Sequence, residues 1–220
     1  GKGNNADVII ICNIDQGTGE IKLVSVFRDT YLSVSDNGLY NKINQAYFLG
    51  GPEQAVEALN RNLDLQIDDF ATFNWKAVVD AVNILGGVDV ELSKAEFYYI
   101  NAYITETVEA TGVGSYQLKQ AGLNHLDGVQ AVAYARLRKM DTDFARTERQ
   151  REIIDLCFQK LKKSDFAVVN NVMEAVFPQI LSSVTIDDII PAARNLTKYT
   201  IADTCLLYTS DAADDRISVD

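Results

Sequence analysis

The sequence predicts an α/β fold in which a mixed central β-sheet is flanked by helices. Three observations carry this. Two strand-like runs come first, residues 7–14 (DVIIICNI) and 21–27 (IKLVSVF), with the polar, glycine-bearing DQGTGE between them. Two helix-like stretches follow, each with its own start signal. A third alternating run, VDVEL at residues 88–92, comes directly after them. The order strand, strand, helix, helix, strand suits a layered α/β or α+β sandwich.

The near-continuous apolar run at 7–14 is typical of a strand covered on both faces, which makes Cys12 a small core residue. The alternation in 21–27 and the short turn before it make the pair a hairpin. Arg28, Asp29 and Thr30 fall where the second strand ends. Lys42-Ile43-Asn44 alternates polar, apolar, polar, so an extended chain would turn Lys42 and Asn44 the same way. Gly50-Gly51-Pro52 opens a helix, with proline at the first position, where its missing N–H costs nothing. Asn74 caps a second helix through Val78, Val79, Val82 and Leu85, and Gly86-Gly87 stops it. Residues 93–124 are polar, aromatic and weakly periodic, and read as an irregular excursion, with His125 as a turn residue. Asp127 with Gln130, and Thr147 with Gln150, have the spacing of capping boxes opening two more helices. In the second of these, Ile153, Ile154, Cys157, Phe158 and Leu161 form one stripe at helical spacing. Residues 164–183 and 185–198 read as two further helices.

The bulk numbers exclude several classes. The chain has 220 residues, 47% hydrophobic and 23% charged, enough for one domain with a real core. The single domain is expected over residues 1–204. The string CLLYTSDAADDR, beginning at Cys205, looks foreign, so residues 205–220 are expected to be a loosely packed, non-native tail. A net charge of −11 speaks against general nucleic-acid binding, which needs clustered Lys and Arg. Three widely spaced cysteines give neither a disulfide framework nor a zinc pattern, and one histidine cannot build a His-rich metal site. No stretch is long and apolar enough to cross a membrane.

One segment stands out against the acidic background. Residues 134–151 carry Arg136, Arg138, Lys139, Arg146, Arg149 and Arg151 against Asp141, Asp143 and Glu148. Arg136 and Arg138 would share a side of an extended chain, and Arg146 and Arg149 a face of the next helix near its start. Guanidinium forks and a helix N-terminus together suit a pyrophosphate. Arg28 and Asp29 lie at a strand end, where α/β sheets tend to place ligands. If the hairpin is antiparallel, Asp7 meets Asp29 at the same edge. Two carboxylates there fit Mg²⁺, which takes one or two of them together with substrate phosphates.

These pieces, in this order, resemble the LytR-CpsA-Psr family. The resemblance rests on the aspartate before an apolar first strand and on VSVFRDTY, YNKINQAYFLGGPEQAV, VDAVNILGGVDVEL, LNHLDGVQAVAYARLR and DFARTERQ, over roughly residues 5–165. The resemblance implies an α/β/α domain with an apolar pocket for a polyprenyl chain, outside the cytoplasm and anchored to the membrane by an N-terminal helix lying outside this sequence. It implies a phosphotransferase that joins a polyprenyl-pyrophosphate-linked glycopolymer, of teichoic acid or capsule type, to peptidoglycan with Mg²⁺. Arg28, Lys42, Arg136, Arg138, Arg146, Arg149 and Gln150 would contact phosphates, with Asn44 beside Lys42. Asp7 and Asp29 would hold the metal, and one of them would act as general base. Asp7, Arg28, Asp29 and Arg138 form the expected catalytic set. The rival readings are a pyrophosphatase on the same donor and a non-catalytic binder of anionic wall polymers. Two positions depart from the family pattern: Asn5 stands where an arginine is usual, and Ala145 where a glycine is usual. The apolar pocket is expected to be walled by Val79, Val82, Leu85, Ile153 and Cys157, among others. The five arginines Arg28, Arg136, Arg138, Arg146 and Arg149 are expected to converge.

Overall fold

A computed structural model of the chain describes residues 5–139 and 142–207. It has the α/β class expected from the sequence. The chain divides into two compact units. Unit 1 holds residues up to Phe70 and those from Ile201 onward, and unit 2 holds Ala71–Thr200. The sequence suggested one domain through residue 204. The division arises because the last described strand joins the first two.

In unit 1, β1 (Ile9–Ile14) pairs antiparallel with β2 (Glu20–Val26) in the register Ile9 to Val26 and Ile14 to Ile21. The turn between them is closed by the Asp15 side chain, which accepts from the Gly17 and Thr18 amides at 2.7 and 3.0 Å. β2 lies between β1 and β9 (Thr200–Leu207). β1 is therefore an edge strand, and its second half is solvent-exposed, which corrects the expectation of burial on both faces. Cys12 is exposed for the same reason and is not a core residue. A short hairpin follows, β3 (Tyr31–Ser33) against β4 (Tyr40–Lys42).

Helix α1 (Asn44–Leu63) is two helical pieces joined at Gly50 and Gly51. Gly51 has φ 75° and ψ −161°, a conformation essentially reserved for glycine. The piece after it starts at Pro52, as expected. The piece before it was not foreseen. Asn44 is its first residue, so Lys42 and Asn44 do not alternate along one extended strand. Val26, Leu32, Val34, Ile43, Ala46, Ala58 and Leu59 form the core of this unit, with Ile9, Ile11 and Leu207 packed against it.

Leu206 and Leu207 are half-buried at the end of β9, and the Phe27 amide donates to Leu207 O at 3.3 Å. The strand thus runs three residues, Cys205 to Leu207, into the segment suspected to be foreign. Tyr208 and the rest of that segment lie outside the described residues.

In unit 2, β5 (Ala71–Thr72) pairs with β8 (Leu181–Ser182). Helix α2 (Trp75–Ile84) begins at Asn74, whose side chain accepts from the Ala77 amide at 2.7 Å. β6 (Val88–Leu92) pairs antiparallel with β7 (Gly122–Leu126). His125 belongs to β7 rather than to a turn, with Nδ1 2.7 Å from Asp89. Between those strands lies α3 (Lys94–Thr111), an 18-residue helix where an irregular excursion was expected. It opens with a full capping box of Ser93 and Glu96. Aromatic and β-branched residues blur its period, but the Ser-x-x-Glu start was there to be read.

Helix α4 (Gly128–Arg136) has the foreseen Asp127/Gln130 box. Gly128 passes so close to α2 that a Cβ there would run into the Val79 carbonyl. Helix α5 (Asp143–Lys163) starts earlier than expected, at Thr142, which accepts from the Ala145 amide. Thr147 is instead inside α5, its hydroxyl donating to Phe144 O at 2.8 Å. Ala145 sits in ordinary helical backbone, so alanine there brings no strain. Helices α6 (Phe166–Val176) and α7 (Ile186–Arg194) follow. The unit's core joins Val79, Val82, Val88, Ile100, Leu126, Val132, Leu137 and Ile153, with Cys157 against it.

Candidate functional site

Two charged clusters stand where the sequence placed the chemistry, one in each unit. The cluster in unit 1 follows from the hairpin. With Ile9 opposite Val26, the chain before β1 and the chain after β2 emerge at the same edge. Arg28 Nη1 donates to Asp7 Oδ1 at 2.9 Å, and its Nε lies 3.6 Å from Asp29 Oδ2. Lys42 Nζ is 2.9 Å from Asp29 Oδ1. Asp7, Arg28, Asp29 and Lys42 thus form one chain of alternating charge, with Arg28 the most buried member. Asn44 lies beside it, its backbone N–H donating to Arg28 O at 3.1 Å. Its side-chain Oδ1 is buried and has no hydrogen-bond partner among the described residues. Asn5, at the position of the usual arginine, accepts from Gln45 Nε2 at 3.1 Å.

The fit of a magnesium ion can be judged on these residues. Among the described residues, no three His, Cys, Asp or Glu side chains come together as a metal-ligand group. The donor set on offer is the two carboxylates held by Arg28. That suits Mg²⁺, which keeps waters and takes substrate phosphates for the rest of its shell.

The cluster in unit 2 is built by α5 passing alongside the end of α4. Gln150 Nε2 donates to Ala135 O at 3.3 Å, and Arg149 Nη2 to Leu137 O at 2.8 Å. Arg149 also lies 3.5 Å from Glu96 Oε1 and stacks over the Tyr134 ring at 5.9 Å. Glu96 therefore serves twice, since its other oxygen accepts the Ser93 amide of the α3 cap at 2.8 Å. The Tyr134 hydroxyl donates to Glu152 at 2.8 Å. Burial, reinforced by that carboxylate, holds the hydroxyl far above the ordinary tyrosine range.

Arg138 and Arg146 share a partner. Asp143 Oδ1 lies 3.5 Å from Arg138 Nη2 and 3.2 Å from Arg146 Nη1, in the first turn of α5. Two guanidinium groups and a helix N-terminus thus surround one carboxylate oxygen.

Arg136 is placed differently. As the last residue of α4 it is not extended toward Arg138. Its Nη1 donates to Thr107 Oγ1 at 2.8 Å, Nη2 lies 3.7 Å from Glu106, and the guanidinium covers the Trp75 ring at 5.7 Å. Its anchor Thr107 and the Arg149 anchor Glu96 are eleven residues apart on α3, about 16 Å of helix. Within unit 2, Arg138 and Arg146 come together and Arg149 holds Leu137 at the end of α4, while Arg136 is held elsewhere along α3. Glu96, Glu106 and Thr107 are partners the sequence reading missed because α3 itself was missed, and Trp75, at the start of α2, is a further one. Val79, Val82, Ile153 and Cys157, expected to wall an apolar pocket, pack within or against the unit's core.

Arginines gathered at a helix start and a carboxylate pair at a strand edge are groups whose chemistry suits a phosphate-bearing ligand. The comparisons make this specific. The LytR_cpsA_psr family model matches residues 1–213, and the chain belongs to that family. It is 33% identical over 156 residues to the polyisoprenyl-teichoic acid–peptidoglycan teichoic acid transferase TagU of Bacillus subtilis, spanning 70% of this chain and 46% of that protein. It is 29% identical over 185 residues to the TagU of Halalkalibacterium halodurans, spanning 83% of this chain and 56% of that protein. The crystal structure of B. subtilis TagV superposes with a TM-score of 0.73 at 26% identity, covering 94% of this chain and 78% of that one. The fold is also that of TagT bound to LIIa-WTA, with a TM-score of 0.72 at 24% identity over 93% of this chain and 73% of that one. The chain spans about half the length of the curated relatives it matches.

Proposed function

We propose that the chain is the catalytic part of a phosphotransferase that moves a glycopolymer from a polyprenyl-pyrophosphate donor to a hydroxyl of peptidoglycan. Family membership supports the class of reaction, and the names of the TagU relatives support teichoic acid as the polymer. The observation that carries the reading is the pair Arg138 and Arg146, which meet one carboxylate oxygen at the start of α5. A phosphate oxygen offers those groups the same charge and more acceptor sites.

In the proposed reaction the acceptor hydroxyl attacks the phosphorus nearest the glycopolymer. A new P–O bond forms, the bond to the bridging oxygen breaks, and polyprenyl phosphate leaves with the bonding electrons. The hydroxyl proton passes to one of the carboxylates held by Arg28, Asp7 or Asp29. Phosphoryl transfer needs alignment and charge neutralisation more than covalent chemistry, and arginines supply both. Arg28, Lys42, Arg136, Arg138, Arg146, Arg149 and Gln150 are proposed as phosphate contacts, with Arg136 exchanging Glu106 and Thr107 for the ligand and Asn44 offering its buried oxygen to the unit 1 cluster. Mg²⁺ held by Asp7 and Asp29 would neutralise charge on the phosphates. No helix among the described residues is long and apolar enough to cross a membrane. Placement outside the cytoplasm, with an anchor elsewhere in the protein, belongs to the same proposal.

The test is binding of a polyprenyl-pyrophosphate analogue. Arg138→Ala is expected to bind about ten- to a hundred-fold more weakly, through loss of a charge-assisted hydrogen bond worth roughly 1.5–3 kcal/mol. Arg138→Lys rescues only in part, because a point charge cannot reproduce the fork. Arg61→Ala, which removes the pairing with Asp36, serves as the control. Equal binding by Arg138→Ala and the control sinks the assignment.

A further inference from the structure

Two tyrosines in unit 1 are exposed in a way that packing does not explain. Tyr31 and Tyr40, on β3 and β4, are 64% and 55% exposed. Their rings stack with centroids 6.0 Å apart at 29°. The register places Tyr31 opposite Lys42 and Ser33 opposite Tyr40, so Tyr31, Tyr40 and Lys42 rise from the same face of the hairpin. Leu32 takes the other face and enters the core. Lys42 is the residue whose ammonium lies 2.9 Å from Asp29. A paired aromatic surface therefore continues directly into the carboxylate cluster.

An exposed pair of this kind keeps apolar ring faces in water, and such patches mark binding surfaces. Tyrosine combines a flat apolar face with a polar tip, which matches a pyranose ring with its apolar C–H face and hydroxyl edge. The surroundings favour a sugar over a lipid surface. The hairpin tip carries Ser35, Asp36 and Asn37, and the Leu39 amide is capped by the Asn37 side chain at 3.2 Å. Asp36 is paired with Arg61, so the tip presents a balanced ion pair and two small polar residues instead of a basic patch for an anionic leaflet, and such polar groups suit sugar hydroxyls.

We infer that Tyr31 and Tyr40 form the platform on which the acceptor glycan lies, with Lys42 directing one sugar hydroxyl toward the carboxylates that Arg28 holds. This rests on the proposed transfer reaction, in which the nucleophilic hydroxyl belongs to the acceptor and must reach Asp7 or Asp29. The ring carrying that hydroxyl then covers the surface next to Lys42, and that surface is the tyrosine pair.

The experiment titrates the whole chain with a β-1,4-linked N-acetylglucosamine tetramer, followed by ligand-observed NMR, in parallel with a polyprenyl-pyrophosphate analogue and with vesicles containing anionic lipid. Tyr31→Ala and Tyr40→Ala are each expected to weaken tetramer binding roughly three- to ten-fold, and Tyr31→Phe to stay within two-fold, on the strength of a single aromatic contact. Analogue binding should not change in any of them. Unchanged tetramer binding in both alanine variants overturns the platform, as does an absence of tetramer binding by the unaltered chain. A loss of vesicle binding with no effect on the tetramer overturns it too, and identifies a membrane-facing surface instead. Binding of the tetramer through the tyrosines by a chain that transfers nothing upholds the platform and counts against the transfer reaction alone.

Discussion

Replacing Arg149 tests how the unit 2 cluster is held. Its guanidinium is almost wholly buried and donates to Leu137 O at 2.8 Å, faces Glu96 at 3.5 Å, and covers Tyr134 at 5.9 Å. Arg149→Ala would leave the Glu96 carboxylate, itself mostly buried, without its counter-charge and the Leu137 carbonyl without its donor. Breaking one side of a buried ion pair costs about 3–5 kcal/mol. Losing the ring contact belongs within that figure, since it is worth roughly 1–2 kcal/mol. Urea unfolding followed by the fluorescence of Trp75, the sole tryptophan, should register the loss as a lower midpoint with an unchanged slope. Pairing Arg149→Met with Glu96→Gln removes both charges together and should recover at least half of the loss. A cost below about 1 kcal/mol for Arg149→Ala, or no recovery in the double variant, would refute the view that this arginine holds Leu137 at the end of α4.

Three further outcomes are expected. Gly128→Ala should destabilise the chain by about 2–4 kcal/mol in the same assay, because the added methyl meets the backbone of α2 and not a flexible side chain. Burial pushes the Cys157 thiol from its ordinary value of 9.0 up to about 11; the folded chain then holds that proton longer than the unfolded one, so stability should fall as the pH rises from 9 to 11, by on the order of 2–3 kcal/mol, and Cys157→Ala should flatten that slope. Asp7→Asn and Asp29→Asn should leave analogue binding within a few-fold, while the one that is the general base should lose about a hundred-fold or more in turnover; full turnover in both would exclude the carboxylate pair from proton transfer.

Much of this arrangement could be read from local sequence rules. The hairpin register alone put Asp7 and Asp29 at one edge, and Arg28 lies between them as that register requires. The Asn74 cap and the Asp127/Gln130 box are side chains meeting backbone amides three residues away, and the Pro52 start follows from proline's own backbone, so local sequence suffices to find them. The errors came where tertiary context decides. Cys12 sits in an apolar run but on an edge strand, and edge position is not written in the run itself. α3 carries Tyr98, Tyr99, Tyr103, Ile104 and Thr107, whose shapes favour strands, and only its Ser93/Glu96 box announces a helix. Because α3 was missed, so were Glu96, Glu106 and Thr107, the groups that determine where Arg136 and Arg149 rest. Placing the α5 start at Thr147 rather than Thr142 also hid the role of Asp143. Thr142 caps the helix through the Ala145 amide, and Arg149 and Gln150 then reach Leu137 and Ala135 at the end of α4.

The transfer reaction is tested most directly by incubating the chain with a radiolabelled polyprenyl-pyrophosphate-linked glycopolymer, with and without a peptidoglycan glycan acceptor, and resolving the products. The account predicts release of polyprenyl phosphate that depends on the acceptor, label joined to the acceptor through a phosphodiester, and loss of both in Arg138→Ala. Release of the glycopolymer phosphate to water at the same rate without acceptor would contradict it and make the chain a pyrophosphatase.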